Sequence, residues 1–384
     1  MKIAVLGNDP ESQSLAEAAL RLGHEVSFLS SPENFNDPAA TSHLPELFYP
    51  ASFDGVIVGP AADSSSSREL QIQELMKLGL PILAVHPVVG EVLAYFEIDM
   101  ARGESGGLLQ HYNPLTEHQI LLRLAEWIRE GHPQIGRVEQ VVAERTFEDR
   151  SRPAVLNHFA RDVEALIRIA GPLNRIGALG SGNEDAAYAG LSVQLLGKQA
   201  VPVRWSVGPV STEPGLEITL VGEQGRVSLR FDSDHQVVEG THPSPLAMAS
   251  VPEPIAPGEQ AIERFLRAID LTEAASTWSD ALQAMELVDS IEISLRRGRM
   301  IEVHHQQLTE HLAFKGTMAA VGCGVIMVFP PLLLLLGWIA GLFGIPLPRH
   351  WYAYLLLAML ALFLGLQVLP KLVYSDKPKP EEPS

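Results

Sequence analysis

The sequence predicts an α/β chain in three parts: a parallel-sheet domain, an α+β domain with an open, mostly antiparallel sheet, and two transmembrane helices. Three observations predict it. Short apolar runs alternate with amphipathic helical stretches from residue 1 to residue 85. Short β-like runs divided by glycine turns follow between residues 138 and 231. Two long stretches, 317–345 and 351–370, carry no charged side chain.

Residues 2–6 form an apolar run closed by Gly7, as a buried parallel strand should. Asn8, Asp9 and Pro10 make a turn, and Asp9 and Ser12 read as the N-cap and first turn of a helix over 12–22. Leu15, Ala18, Ala19 and Leu22 share one face of that helix and Gly23 ends it. Val26, Phe28 and Leu29 begin a second strand, completing a βαβ unit. Residues 53–60 give a third strand, 69–78 a helix closed by Gly79, and 80–85 a further strand that delivers His86 and Pro87 at its carboxyl end. In an open α/β sheet, ligands bind at that end. A dinucleotide diphosphate is held by a turn of the form G-x-G-x-x-G. Here the turn reads G-N-D-P-E-S, which keeps Gly7 and adds carboxylates at Asp9 and Glu11. Ser30 and Ser31 stand where an acid for the ribose hydroxyls is expected.

Composition bounds the function. The 384 residues suffice for two domains with additions. A net charge of −18 argues against nucleic-acid binding, which needs a basic surplus. The single cysteine, Cys323, excludes an internal disulfide and a CxxC metal knuckle. His111 and His118 lie seven apart with no third ligand in register, so no metal site is assigned. The apolar residues before Gly7 are too few for a signal-peptide core, which places the first domain in the cytoplasm.

The order of these pieces, with V-H-P at 85–87, the run 106–113 as a crossing strand, the turn 131–136, the helix 154–170 before Gly171 and the hairpin 221–229, resembles the Gfo/Idh/MocA family of NAD(P)-dependent sugar oxidoreductases. The resemblance implies a Rossmann-like NAD(P)-binding domain, degenerate in its glycine turn, over 1–105 and the family's second domain over 106–312. It implies cofactor contacts from Gly7, Asn8, Ser12, Ser30, Pro60 and His86. His86 stands where the family has a substrate-contacting lysine. Arg161-Asp162 occupies a His-Asp place, with Glu164 near a second acid and His158 three residues before Arg161. His86, His158 and Asp162 are accordingly the catalytic candidates. Beyond the strands, residues 114–128 read as a helix, 260–271 as another, and 277–296 as the last, whose Trp278, Ala281, Met285 and Val288 recur at helical spacing.

The stretches 317–345 and 351–370 are each long enough to span a bilayer. Arg296, Arg297, Arg299 and Lys315 precede them and Lys371, Lys377 and Lys379 follow, whereas the connection has only Arg349. The positive-inside rule then puts the N-terminal domains and a disordered tail, 371–384, in the cytoplasm. The sequence thus supports a membrane-anchored oxidoreductase that moves hydride between NAD or NADP and a sugar or related polyol. The alternative is an inactive relative, a membrane-tethered module that binds a ligand or protein. Partners on either reading are the lipid bilayer, a small sugar-like ligand and further copies of the chain, with no nucleic acid.

Overall fold

In β1 (Lys2–Leu6), Ile3 through Leu6 are fully buried, so both faces of the strand are covered. Ile3 and Val5 pack with Leu15 and Ala19 of α1 (Pro10–Arg21), while Ala4 and Leu6 belong to the core on the opposite face. This period of two is what a parallel strand sandwiched between helices requires. The structure, a computed structural model, describes residues 1–28, 53–60, 67–180, 184–198, 200–211, 213–233, 235–238, 256–271 and 277–303.

Four more strands, β2 (Glu25–Phe28), β3 (Gly55–Val58), β4 (Ile82–Val85) and β5 (Leu109–Tyr112), complete a five-stranded parallel sheet in the order β2-β1-β3-β4-β5. The run expected to cross into the second domain therefore pairs with β4 at the edge of this first sheet. Helices α2 (Ser67–Lys77) and α3 (Val92–Ser105) follow β3 and β4. The sequence gives little sign of α3, whose apolar pattern is blurred because Leu93 and Met100 face solvent while Ala94, Tyr95 and Ile98 face the core. Gly106, at φ 66°, ends it in the left-handed conformation that glycine adopts without strain.

The helix expected over 114–128 is α4 (Ile120–Glu130). It starts later because Asn113 organises a turn: its side chain accepts from the Leu115 amide at 3.2 Å and its carbonyl accepts from the Thr116 hydroxyl at 2.9 Å. The second sheet runs through β6 (Val138–Thr146), β7 (Arg175–Leu179), β8 (Ser192–Leu196), β9 (Val203–Val207), β10 (Gly215–Gly222), β11 (Gly225–Asp232), β12 (Val237–Val238) and β13 (Ile301–Glu302). Its order is β12-β11-β10-β6-β9-β8-β7-β13, and only β6 and β9 pair in parallel among the described residues, which matches the mostly antiparallel expectation.

Helix α5 (Arg152–Ala170) lies between the two sheets, and a short α6 (Glu184–Ala189) precedes β8. Two helices then return to the first domain. α7 (Pro257–Leu271) lays Ala261, Ile262 and Phe265 against the β1 face of the first sheet. α8 (Trp278–Arg297) stacks Trp278 on Tyr95 of α3 at 4.7 Å and accepts the Ala178 amide of β7 on Ser294 Oγ at 2.9 Å. Among the described residues no helix is long and apolar enough to cross a membrane. The expected spans 317–345 and 351–370, the tail 371–384 and Ser30 lie outside the described residues.

Candidate functional site at the carboxyl edge of the parallel sheet

The sheet order reverses between β1 and β3, since the chain moves outward from β1 to β2 and then returns to the other side of β1. The crevice beyond the carboxyl ends of these strands is where an open parallel sheet receives ligands. Gly7 follows β1 there, and Gly59 and Pro60 follow β3. Asp9 caps α1, accepting from the Ser12 amide at 2.9 Å and the Ser12 hydroxyl at 2.6 Å, as the turn chemistry of the sequence expects. The two glycines make this possible. A Cβ on Gly59 would stand 2.0 Å from Asp9 Oδ2 and 2.4 Å from Ser12 Oγ, and one on Gly7 would stand 2.9 Å from both. Burial raises the pKa of Asp9 above its ordinary value. Asn8 Oδ1 accepts from Gln13, and the Pro60 carbonyl accepts from Arg68 at 3.4 Å.

Glu11, in the first turn of α1, is paired with Arg161 of α5 at 2.5 Å. The same guanidinium donates from Nε to the His86 carbonyl at 3.1 Å, just past the end of β4. Burial works to raise the pKa of Glu11, and the Arg161 charge together with hydrogen bonds to the carboxylate brings it below its ordinary value. Because β3 lies between β1 and β4, this pair runs over the end of β3 and across the crevice.

Behind it, β4 and β5 present a buried polar cluster to α5. His86 is 1% exposed, with Nδ1 3.0 Å from the Tyr95 hydroxyl and Nε2 3.4 Å from the Ala160 carbonyl. The Tyr95 hydroxyl already accepts from the Val88 amide, so its proton goes to His86 Nδ1, and the imidazole donates from Nε2. Burial lowers the pKa of His86 to about 4, against the opposing pull of Glu164, so the ring is neutral at pH 7. Glu164 lies 3.9 Å from His86 Nε2, 2.5 Å from His111 Nε2 and 2.9 Å from Asn113 Nδ2. Burial would raise Glu164, but the His111 charge and these hydrogen bonds bring it to about 2. Burial likewise opposes the protonation of His111, yet Glu164 lifts its pKa above the ordinary value. His111 and Glu164 thus form a buried ion pair, with His111 Nδ1 unpartnered among the described residues.

His158 and Asp162, the other two catalytic candidates, point to the second sheet. Asp162 is fully buried and takes both Nε and Nη2 of Arg145 on β6, together with Trp205 Nε1 of β9 at 2.9 Å. His158 stacks on Phe147 at 4.7 Å, and burial followed by the Arg145 charge lowers its pKa to about 4. The structure therefore brings His86 together with Arg161 and Glu164, not with Asp162.

Two contributors are not evident from the sequence. The spacing of His111 raises only the question of a metal ligand, and the register Ala84↔His111 that sets it beside β4 is invisible without strand pairing. His235, on the turn between β11 and β12, is 8% exposed, holds φ 59° and has a buried Nδ1 with no partner among the described residues. Arg145, Arg161, Asp162 and Glu11 all act on its imidazole, as the same four act on His158. Among the described residues no group of His, Cys, Asp and Glu is arranged to hold a metal ion.

No protein-family model and no curated protein matches the chain. Solved structures do. A myo-inositol dehydrogenase from Corynebacterium glutamicum aligns over 79% of this chain and 99% of its own, with a TM-score of 0.59 and 15% identity. The WlbA dehydrogenase from Bordetella pertussis, in complex with NADH and UDP-GlcNAcA, aligns over 79% and 99%, with a TM-score of 0.60 and 16% identity. An aldose-aldose oxidoreductase from Caulobacter crescentus complexed with glycerol aligns over 79% and 99%, with a TM-score of 0.57 and 13% identity. The chain has the two-domain fold of Gfo/Idh/MocA-type dehydrogenases.

Proposed function

We propose that the chain is an oxidoreductase that uses NAD or NADP to oxidise or reduce a sugar or related polyol, and that the stretches 317–345 and 351–370 hold it at a membrane with its N-terminal domains in the cytoplasm. The observation that carries the reading is the site's place in the fold. Its polar cluster sits at the carboxyl edge of the parallel sheet, in a body that matches dehydrogenases along almost their whole length. One feature supports a dinucleotide: Arg161 puts a guanidinium over the crevice. Against it, the space beside Gly7 and Gly59 at the N-terminus of α1 is filled by Asp9 and Ser12. Gly7, Pro60 and Arg161 are the groups that would hold the cofactor.

When bound, the nicotinamide supplies or accepts the hydride. The chain's own part is proton handling and orientation. His86 is kept neutral with its Nε2–H facing the Ala160 carbonyl and Glu164, so a proton would reach the ring at Nδ1 by way of the Tyr95 hydroxyl, and the Glu164 charge would stabilise the imidazolium formed. His111 and Asn113 fix the Glu164 carboxylate in turn.

A second reading, a binding module without turnover, is favoured by one specific observation. Asp9 and Glu11 fill the helix N-terminus that a diphosphate would use with the chain's own carboxylates. Full-length protein in detergent, incubated with NAD or NADP and a panel of inositol, aldoses and nucleotide sugars, separates the two. The oxidoreductase reading expects reduced nicotinamide to accumulate and His86→Ala to slow it by about 100-fold or more. Saturable cofactor binding without turnover on any of the panel would favour the binding module.

A further inference from the structure

Glu11 and Arg161 are 150 residues apart in sequence and belong to different lobes, yet they meet over the crevice with side chains only 19% and 16% exposed. The pair does not hold the fold in the way that the Asp162–Arg145 pair does. Arg161 is anchored independently through Nε to the His86 carbonyl, so its Nη groups can change partner without the helix moving. Glu11 sits in the first turn of α1, where backbone amides already favour an anion, and it competes there with any anionic ligand. The buried His235 Nδ1 has no partner among the described residues, and the Glu11 and Arg161 charges both act on that ring.

We propose that Arg161 is a phosphate-binding residue of this crevice and that Glu11 is its internal competitor: the guanidinium exchanges the Glu11 carboxylate for the diphosphate of a dinucleotide while Nε stays on the His86 carbonyl. The proposal rests on the cofactor reading above and adds to it a latch that sets cofactor affinity. An exchange of this kind suits arginine, whose planar fork pairs carboxylate and phosphate with the same geometry.

The test is a titration of full-length protein with NADH and with ADP, following nicotinamide fluorescence and calorimetric heat. The proteins compared are wild type, Glu11→Gln, Arg161→Gln and Arg161→Lys, with the unliganded melting temperature of each as a folding control. Glu11→Gln removes a like charge and frees the guanidinium, so it should tighten both ligands on the order of tenfold. Arg161→Gln should weaken both by at least that factor, and Arg161→Lys should recover part of the loss. Binding by Glu11→Gln alone, with none by wild type, would also support the latch. If wild type binds NADH but neither Glu11→Gln nor Arg161→Gln changes its affinity, the latch is wrong and the cofactor reading stands. If neither wild type nor Glu11→Gln binds either ligand, both are overturned.

Discussion

Helix α5 carries charge on two faces, and the two faces have been finished differently. Toward the second sheet, Asp162 takes two nitrogens of Arg145 and the indole of Trp205, and both charged groups are at most 3% exposed. Toward the first sheet, Glu164 pairs with His111 but leaves His111 Nδ1 without a partner among the described residues, and Arg161 reaches a Glu11 that is still in contact with solvent. A saturated buried ion pair locks elements together, whereas an unsaturated one keeps capacity for a ligand. The difference separates the lock of this molecule from its site, although both lie within one turn of the same helix.

The comparison breaks most visibly at the lock. Asp162→Ala leaves the Arg145 guanidinium buried and unpaired, so unfolding free energy should fall by about 3–5 kcal/mol, read from chemical denaturation. Next comes Glu164→Gln, which removes the partner of His111 and should cost about 1–3 kcal/mol, since an amide still accepts a hydrogen bond there. If that change were as costly as the loss of Asp162, the two faces would be equally structural and the distinction would fail.

The pH dependence sharpens the contrast. Glu164 is held at about 2 in the folded chain, below its ordinary 4.5, so its contribution is present above pH 4.5 and is lost as pH falls toward 2. His86, His158 and His235 are buried neutral with pKa values lowered from 6.5 to about 4, so the stability they protect is present above pH 6.5 and declines as pH falls toward 4. His111 runs the other way, because its raised pKa favours folding below pH 6.5 and the gain fades as pH rises through the folded value. A melting series from about pH 7 to about pH 4 should therefore slope downward, and His158→Gln should flatten it slightly. An unchanged slope in that variant would remove His158 from the set.

Much of the scaffold is legible in the amino-acid sequence. The βαβ opening, the cap at Asp9 and the strands around residues 141, 193, 205, 218 and 229 follow from apolar period and turn chemistry, which are local. The site is legible only in part. The pattern places His86 correctly at the end of β4, but it makes Asp162 the carboxylate that orients the catalytic histidine and puts Glu164 only near a second acid, outside the catalytic candidates. Two residues on, a helix has turned by roughly 200°, so these carboxylates face opposite sides. Which side meets which sheet depends on partners far away in sequence, Arg145 on β6 and His111 on β5. The Glu11–Arg161 contact joins residues 150 apart, and no local pattern announces it.

The central claim is that this crevice takes a nicotinamide dinucleotide despite its own carboxylates. The most direct measurement is the melting temperature of the full-length chain with increasing NAD, NADH, NADP and NADPH, since a ligand that binds only the folded state raises stability by mass action. The account predicts a saturable rise with at least one of the four, larger in Glu11→Gln than in wild type. A flat response to all four in both proteins would contradict it.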